Sequence, residues 1–548
     1  MGIKNLEKMV VTHETPTEIL ELVRTAVLEN LQSDFYHSED EHAKAAIELH
    51  KKVYTKYPNF YVDVFTDPSF TTYFLDAHKI LSLPFILQDE ENIDAILKNI
   101  LDVSPTRIDD IYRICMMKET FGVSVPKSIL RKIFEIQTKN IENEKGKDYV
   151  GFMSVKYAAS IHSIMASIRT KKQKLSPNWE EATKWIFERD EHYPYTLPAL
   201  KEISKLRKAV KSGTSSIIKP KNIPFSVWRG YASALNYSEE NIFKEYKLMT
   251  KNEVKRNLTT LQKYGLLESS YHKKKIEDKV MKVRVDLLEL MYALKVLDNK
   301  AKDILMKKGK QEFERTVDNL KETLQNKKIT IAVDSSGGCA GHTHLLNPDI
   351  QKKIINNEQI PKWAKIIQRE SFNANILIAK VLSDASKHTQ TYLFNETSQE
   401  VDLPSTFEEL ITELKEIKCS GGSNILEAVK LATSTNADIA FIITDLNENI
   451  PFQGALKLQL EKLAKAFSGQ LVFILTETIV ERPEAVQLDE VIKSGNLSNV
   501  FIVPAKKLKQ LENGFLLIKL LEKTKKLFAK SKKKPLKTKE TKQSTTTV

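Results

Sequence analysis

Oxygen-bearing side chains end or follow several short apolar runs of this chain. Ile329-Thr330-Ile331-Ala332-Val333 runs into Asp334-Ser335-Ser336. Gly421-Gly422-Ser423-Asn424 opens a helical stretch, and the apolar run from Ala437 to Ile443 ends in Thr444-Asp445. Two carboxylates and two hydroxyls (Asp334, Ser336, Ser423 and Asp445) from three separate segments are a donor set for a hard divalent cation, Mg²⁺ or Mn²⁺. The competing reading is a set of hydrogen-bonded loop ends with no metal. Cys339, His342 and His344 follow as Cys-x-x-His-x-His. Softer ligands at that spacing suit zinc, but no fourth ligand is evident, and a solvated polar loop is the alternative.

A second set of residues suits anion and ring recognition. Lys139, Lys145, Lys147, Lys156 and His162 lie within a short stretch, followed by Arg169, Lys171, Lys172 and Lys174. Tyr149, Phe152 and Tyr157 interleave with them. Cationic side chains neutralise phosphates and aromatic rings stack on bases, so the mixture suits nucleic acid. The alternative is a solvated charged face. Nothing resembles a phosphate-binding Gly-rich loop with Lys-Ser/Thr, a Gly-x-Ser-x-Gly elbow, His-Glu-x-x-His or Cys-x-x-Cys. No catalytic residue is therefore assigned, and an enzyme is not expected.

The elements that must position these groups fall into two regions. From Thr15 to about Gln325 the chain reads as helix after helix. Ile19, Leu20, Leu22, Val23, Ala26, Val27 and Leu31 form one stripe with a period near ~3.6. Further periodic segments run at Glu39–Tyr57, Pro68–Leu83, Glu91–Leu101, Asp109–Thr120 and Pro126–Gln137. Their spacing predicts stacked helix pairs, a solenoid-like array. Lys205 to Pro224 reads as a basic loop, and Ala301 to Gln325 as a polar, charged helix. From Lys328 strands and helices alternate: apolar runs at Ile329–Val333, Thr391–Phe394, Ala437–Ile443, Leu471–Leu475 and Val500–Val503 are separated by helices at Pro361–Ser386, Ile425–Ala432 and Gln453–Phe467. That order predicts a doubly wound, Rossmann-like α/β sheet with ligands at the carboxyl ends of its strands. The boundaries drawn are 15–325 for the helical domain, 326–528 for the α/β domain and 529–548 for a Lys-rich disordered tail.

The 548-residue chain carries a net charge of +13. Nine Lys against one Glu between Lys525 and Val548 supply eight of those charges. The folded body is therefore only mildly basic, and a nucleic-acid site must be a local patch. Three cysteines are no disulfide framework. No apolar run is long enough for a membrane helix, and the start lacks a signal-peptide pattern. A cytoplasmic protein with no membrane partner is expected.

Motif order adds a resemblance. Phe35-Tyr36-His37-Ser38-Glu39-Asp40-Glu41, Pro58-Asn59-Phe60-Tyr61-Val62, Leu81-Ser82-Leu83-Pro84, Val227-Trp228, Met249-Thr250, Arg256-Asn257-Leu258, Leu287-Leu288 and Met291-Tyr292-Ala293-Leu294 follow one another as in the TROVE domain of Ro-autoantigen-like proteins. Residues 328–505 resemble a von Willebrand A domain, whose metal-ion-dependent adhesion site (MIDAS) has an Asp-x-Ser-x-Ser loop, a Thr loop and a Thr-Asp loop. Here Gly338 stands where the second Ser belongs and Ser423 replaces Thr, so a weakened metal site is expected. The resemblance implies a HEAT-like helical-repeat ring whose ends the A domain joins. It implies a ribonucleoprotein component that binds small structured Y-type noncoding RNA on the outer basic surface and the 3′ ends of misfolded RNA in the ring, without catalysis. His162 resembles a family His that contacts RNA, and Lys145 precedes it at a family-like distance. The alternative is a metal-dependent protein-interaction scaffold that grips a partner through the A domain.

Overall fold

The computed structural model describes residues 16–28, 39–71, 74–86, 127–168, 175–213 (except 191), 219–288, 300–336, 371–413, 422–445, 455–476, 499–505 and 508–531, with a few isolated positions besides. The helices expected at Glu91–Leu101 and Asp109–Thr120 lie outside these residues, as do Phe35 to His37, Met291 to Ala293 and residues 532–548.

The N-terminal helices are α1 (Thr17–Leu28), α2 (Glu39–Lys56), α3 (Pro58–Thr66) and α4 (Asp76–Ile86), with a single turn at Pro68–Thr71. The apolar stripe of α1 from Ile19 to Val27 is buried. Pro58 opens α3, where its missing N–H costs nothing. α1 packs on α2, and α2 packs on α3 and α4. The single helix expected over Pro68–Leu83 is two, because Phe74 and Leu75 interrupt it, and the Leu75 amide is spent on the carbonyl of Ala26 in α1 (2.8 Å).

The next group is α5 (Lys127–Lys145), α6 (Lys147–Lys156), α7 (Ala158–Ile168), α8 (Pro177–Glu188) and α9 (Pro198–Ser212). α6 lies at its centre, packed on the other four. α9 corrects the loop expected from Lys205. Ala199, Leu200, Ile203, Leu206 and Ala209 are buried at helical spacing, and the helix stops only at Gly213, which takes the left-handed φ of 62°. Glu181 of α8 fixes where α9 begins. Its carboxylate accepts from the backbone N–H groups of Thr196 (2.6 Å) and Leu197 (2.8 Å), and from the Thr196 hydroxyl.

Then come α10 (Phe225–Ala234), α11 (Glu239–Lys244), a 3₁₀ turn at Tyr246–Leu248, α12 (Lys251–Arg256), α13 (Leu258–Lys263), α14 (Ser270–Met281) and α15 (Lys300–Leu324). Thr250 and Glu253 form a reciprocal capping box that starts α12. α15 is charged, as its sequence reads, yet it buries Ile304, Leu305, Phe313, Val317, Leu320 and Leu324. Lys308 and Glu312 are buried with them as an ion pair at 2.7 Å. α15 is thus a packed joint between the two regions rather than a solvated connector.

The C-terminal region contains β1 (Lys328–Asp334), α16 (Ser371–Ala385), β2 (His388–Phe394), β3 (Ser398–Glu400), α17 (Phe407–Glu413), α18 (Ile425–Ser434), β4 (Ile439–Thr444), α19 (Ala455–Ala466), β5 (Gln470–Leu475), β6 (Val500–Pro504) and α20 (Leu508–Ser531). The sheet order is β3-β2-β1-β4-β5-β6. All pairings are parallel except the edge strand β3, which runs antiparallel to β2. Both faces are covered, which is why β1, β4 and β5 read as continuous apolar runs. Ile329, Ile331 and Val333 face α16 and join one core that continues into the helical region, while Ala332, Ala440, Ile442 and Phe473 face α18 and α19 in a second core.

The helix α20 leaves β6 and packs back on α1 and α3 as well as on α15. Phe528 stands edge-on to Tyr57 (5.5 Å) and Phe60 (5.8 Å). The last described helix therefore joins the first, and it runs through Ser531, past the boundary drawn after Phe528.

Candidate functional site

The strand order reverses between β1 and β4, and a doubly wound sheet opens a crevice at the carboxyl ends of the strands there. Asp334 ends β1 and Asp445 follows β4; both are buried. The Asp334 carboxylate collects three neutral donors. Its Oδ1 accepts from the backbone N–H of Ser336 (2.9 Å). Its Oδ2 accepts from the hydroxyls of Ser423 (3.1 Å) and Thr444 (2.6 Å). Asn375 of α16 donates from Nδ2 to the Asp334 carbonyl (3.1 Å) and accepts from the Thr476 hydroxyl (2.7 Å). The Thr476 amide in turn donates to the Thr444 carbonyl (3.1 Å). The ends of β1, β4 and β5 are thereby laced into one buried polar cluster.

This cluster brings Asp334 and Ser336 of one loop together with Ser423 of a second, and Asp445 of a third segment adjoins it through Thr444. Thr444 joins the expected set, and its hydroxyl makes the shortest of these contacts to Asp334; its place beside Asp445 at a strand end is the sequence signal for it. Asn375 had no signal, since it follows a long polar stretch and sits inside an apolar helix. Among the described residues no three His, Cys, Asp or Glu side chains converge as metal ligands. A cation here would rest on hydroxyls as much as on carboxylates. The donors are all hard oxygens, and among the described residues no cationic side chain pairs with Asp334, so the set fits Mg²⁺ or Mn²⁺ in kind. Gly338, Cys339, His342 and His344 lie outside the described residues.

The basic–aromatic set forms a corner and a rim. Gly146 takes a φ of 80°, a left-handed value open to glycine, and turns the chain sharply from α5 into α6. Lys145 ends one helix, Lys147 begins the next, and both are exposed. The corner is anchored from behind by Glu142, which accepts from the Ser176 hydroxyl (2.5 Å) and from Asn178 Nδ2 (2.5 Å). Tyr149 is exposed beside the corner and stacks on Phe152 at 5.8 Å with 14° between the planes. Lys156 lies over the Tyr157 ring (5.1 Å). Lys139 is exposed but tied to Glu135 (2.8 Å), so its charge is partly spent. His162 is exposed on α7 and packs against Phe187 of α8, with ring centroids 4.6 Å apart. Phe187 is 44% exposed, and no local pattern points to it because it lies 25 positions from its partner. Arg169, Lys171, Lys172 and Lys174 lie outside the described residues. Among the described residues no helix is long and apolar enough to cross a membrane.

Fold and sites together define a class: a packed array of helices joined to a doubly wound sheet domain whose last described helix returns to the first described one. Among solved structures, the crystal structure of the Ro (RSR) protein of Deinococcus radiodurans is similar, with a TM-score of 0.54 at 13% identity, over 91% of this chain and 99% of that one. The chain has the Ro fold that its TROVE-like motif order led one to expect. No family model matches the sequence, and no curated protein matches it either.

Proposed function

We propose that the chain is an RNA-binding component of a ribonucleoprotein, and that it takes up small structured noncoding RNA and the 3′ ends of misfolded RNA without acting as an enzyme. The observation that carries this is the α5–α6 corner: two exposed lysines on either side of Gly146, next to an exposed Tyr149, with His162 and Phe187 exposed together on the adjoining helices. Lysines at such a corner neutralise phosphates and fix register, and the rings stack on unpaired bases. The shared Ro fold and the TROVE-like motif order support RNA as the partner class. The protein purified from its native cells at moderate salt should carry nuclease-sensitive RNA, visible as a raised 260/280 nm absorbance ratio and recoverable by cross-linking and sequencing. Material free of nucleic acid that also fails to shift total cellular RNA would end this reading.

The strand-end cluster supports a second role: a divalent cation held by Asp334, Ser336, Ser423 and Asp445, with Thr444 as an added hydroxyl. A cation there would supply an open coordination position for an acidic side chain of a protein partner. What favours it is the buried Asp334 carboxylate, whose donors among the described residues are all neutral. The RNA site and a metal-dependent protein contact use different regions of the chain, and both can operate in one particle.

A further inference from the structure

Among the described residues, three large aromatic side chains remain exposed. Tyr149 and Phe187 belong to the rim described above. The third, Tyr271, is the most exposed described aromatic, at 55%. It sits in the first turn of α14, away from the corner: α14 packs on α12 and α15, whereas α6 packs on α5 and α7 to α9.

The surroundings of Tyr271 are built. Lys275, one turn on, places its Nζ over the ring at 4.7 Å. Lys247 comes from a different element, the 3₁₀ turn at Tyr246–Leu248, and this turn is fastened to α14 twice. Lys279 donates from Nζ to the carbonyls of Lys247 (2.9 Å), Met249 (2.8 Å) and Tyr246 (3.4 Å). The Tyr246 hydroxyl is bonded to His272 Nδ1 (3.0 Å), with the two rings edge-on at 5.5 Å. Burial holds the Lys279 ammonium below its usual range, consistent with its use as an internal fastener. The Tyr271 hydroxyl is likewise held below its usual range, first by its hydrogen bond to Lys275 and also by the charge of Lys247, so both lysines act on the same ring.

Some of the charges on this face are paired and others are open. Lys273 is paired with Asp303 (3.6 Å), and Glu277 with Lys307 (2.7 Å). Lys247, Lys274 and Lys275 are in no ion pair among the described residues, although Asp278 is exposed on the same helix. An aromatic ring left in water between unpaired ammonium groups contributes little to folding. It is what a sequence-tolerant single-strand site requires: a π-face for a base and cations for the adjoining phosphates.

We propose that Tyr271 is a stacking platform for a base of single-stranded RNA, with Lys247, Lys274 and Lys275 neutralising the flanking phosphates. This rests on the RNA reading above and adds to it a second contact region that prefers unpaired strand.

The test uses the full chain and a fluorescein-labelled oligouridylate of about ten nucleotides. Tyr271→Ala should weaken binding about tenfold with little change in salt dependence, and Tyr271→Phe should keep most of the affinity, because the π-face remains. Lys247→Ala with Lys275→Ala should instead flatten the salt dependence by roughly one to two units of slope. Photo-cross-linking of the bound oligonucleotide should label the peptide containing Tyr271. Circular dichroism should show all variants folded, since these side chains lie on the surface. If Tyr271→Ala binds the oligonucleotide as wild type does, the platform is refuted while the RNA reading stands. If wild type binds neither the oligonucleotide nor cellular RNA, both fall together.

Discussion

Asn513 donates from its side-chain amide to the main-chain carbonyl of Val27 at 3.2 Å, a contact that spans 486 positions of sequence. Both residues are buried, and Phe528 seals the same junction one helix end away. Helix α20 is thus the strap that holds the first helices against the sheet domain.

Removing that strap should loosen one end of the molecule selectively. Phe528→Ala deletes a buried ring and should cost about 3 kcal/mol locally. Hydrogen exchange should then speed up in α1 and α3 while β1, β4 and β5 stay protected. Unchanged exchange in α1 and α3, or equal acceleration throughout the sheet, would contradict this account of the junction.

Gly469 precedes β5, and a methyl group there would stand 2.6 Å from the carbonyl oxygen of Ala437 and 2.7 Å from that of Asp438. Backbone cannot step aside as a side chain does. Gly469→Ala should therefore destabilise the sheet domain by roughly 2 kcal/mol or more, read as a lower urea midpoint. A midpoint equal to that of wild type would show that the β4–β5 start relaxes freely.

Much of this fold is legible in the sequence, for reasons that also explain what is not. Ile329–Val333 and Ala437–Ile443 announce themselves because strands covered on both faces must be apolar throughout. Asp334 and Ser423 stand out because a polar group directly after such a run has to sit at a strand end. β3 leaves no trace, since Ser398, Gln399 and Glu400 form an exposed edge with nothing to bury. Helix α9 hides behind its lysines; its buried stripe of Leu200, Ile203, Leu206 and Ala209 is narrow, and the outer face dominates composition. The pairings Asn375–Thr476, His162–Phe187 and Asn513–Val27 are tertiary, and no local pattern encodes them.

Metal binding at the strand ends is open to calorimetry. Wild type should take up Mg²⁺ or Mn²⁺ weakly, Asp334→Asn should lose it, and Gly338→Ser, which adds a hydroxyl, should tighten it. Metal about a hundredfold above its Kd should stabilise the fold by about 2.7 kcal/mol. No heat of binding in either wild type or Gly338→Ser would mean the cluster is held by its own hydrogen bonds alone.

Acid should weaken the N-terminal helices. His50 is fully buried, with Nδ1 on the Tyr61 hydroxyl (2.5 Å) and Nε2 on His78 Nδ1 (3.1 Å). Burial, and then the neighbouring His78, hold His50 well below the ordinary histidine range. Above about pH 6.5 it is neutral in folded and unfolded chains alike. Below that, the unfolded chain takes up a proton that the folded one refuses, so its contribution is lost as pH falls, by about 1.4 kcal/mol per unit. The loss continues down to the depressed folded value. Urea midpoints at pH 7 and pH 5.5 should differ more in wild type than in His50→Asn; an equal difference would remove His50 as the cause.

On the RNA-binding reading, the corner at Lys145 and Lys147 meets RNA phosphates. The direct measurement is the salt dependence of RNA affinity from about 50 to 300 mM, for wild type, for Lys145→Ala with Lys147→Ala, and for His162→Ala. Wild-type affinity should fall steeply, by about 0.7 in log–log slope for each phosphate contact with a single strand. The double lysine variant should be flatter by roughly one to two units, and His162→Ala should bind more weakly at nearly the same slope. Affinity that ignores salt in wild type, or a double variant indistinguishable from it, would contradict the claim and leave the strand-end cluster as the better candidate for the chain's binding role.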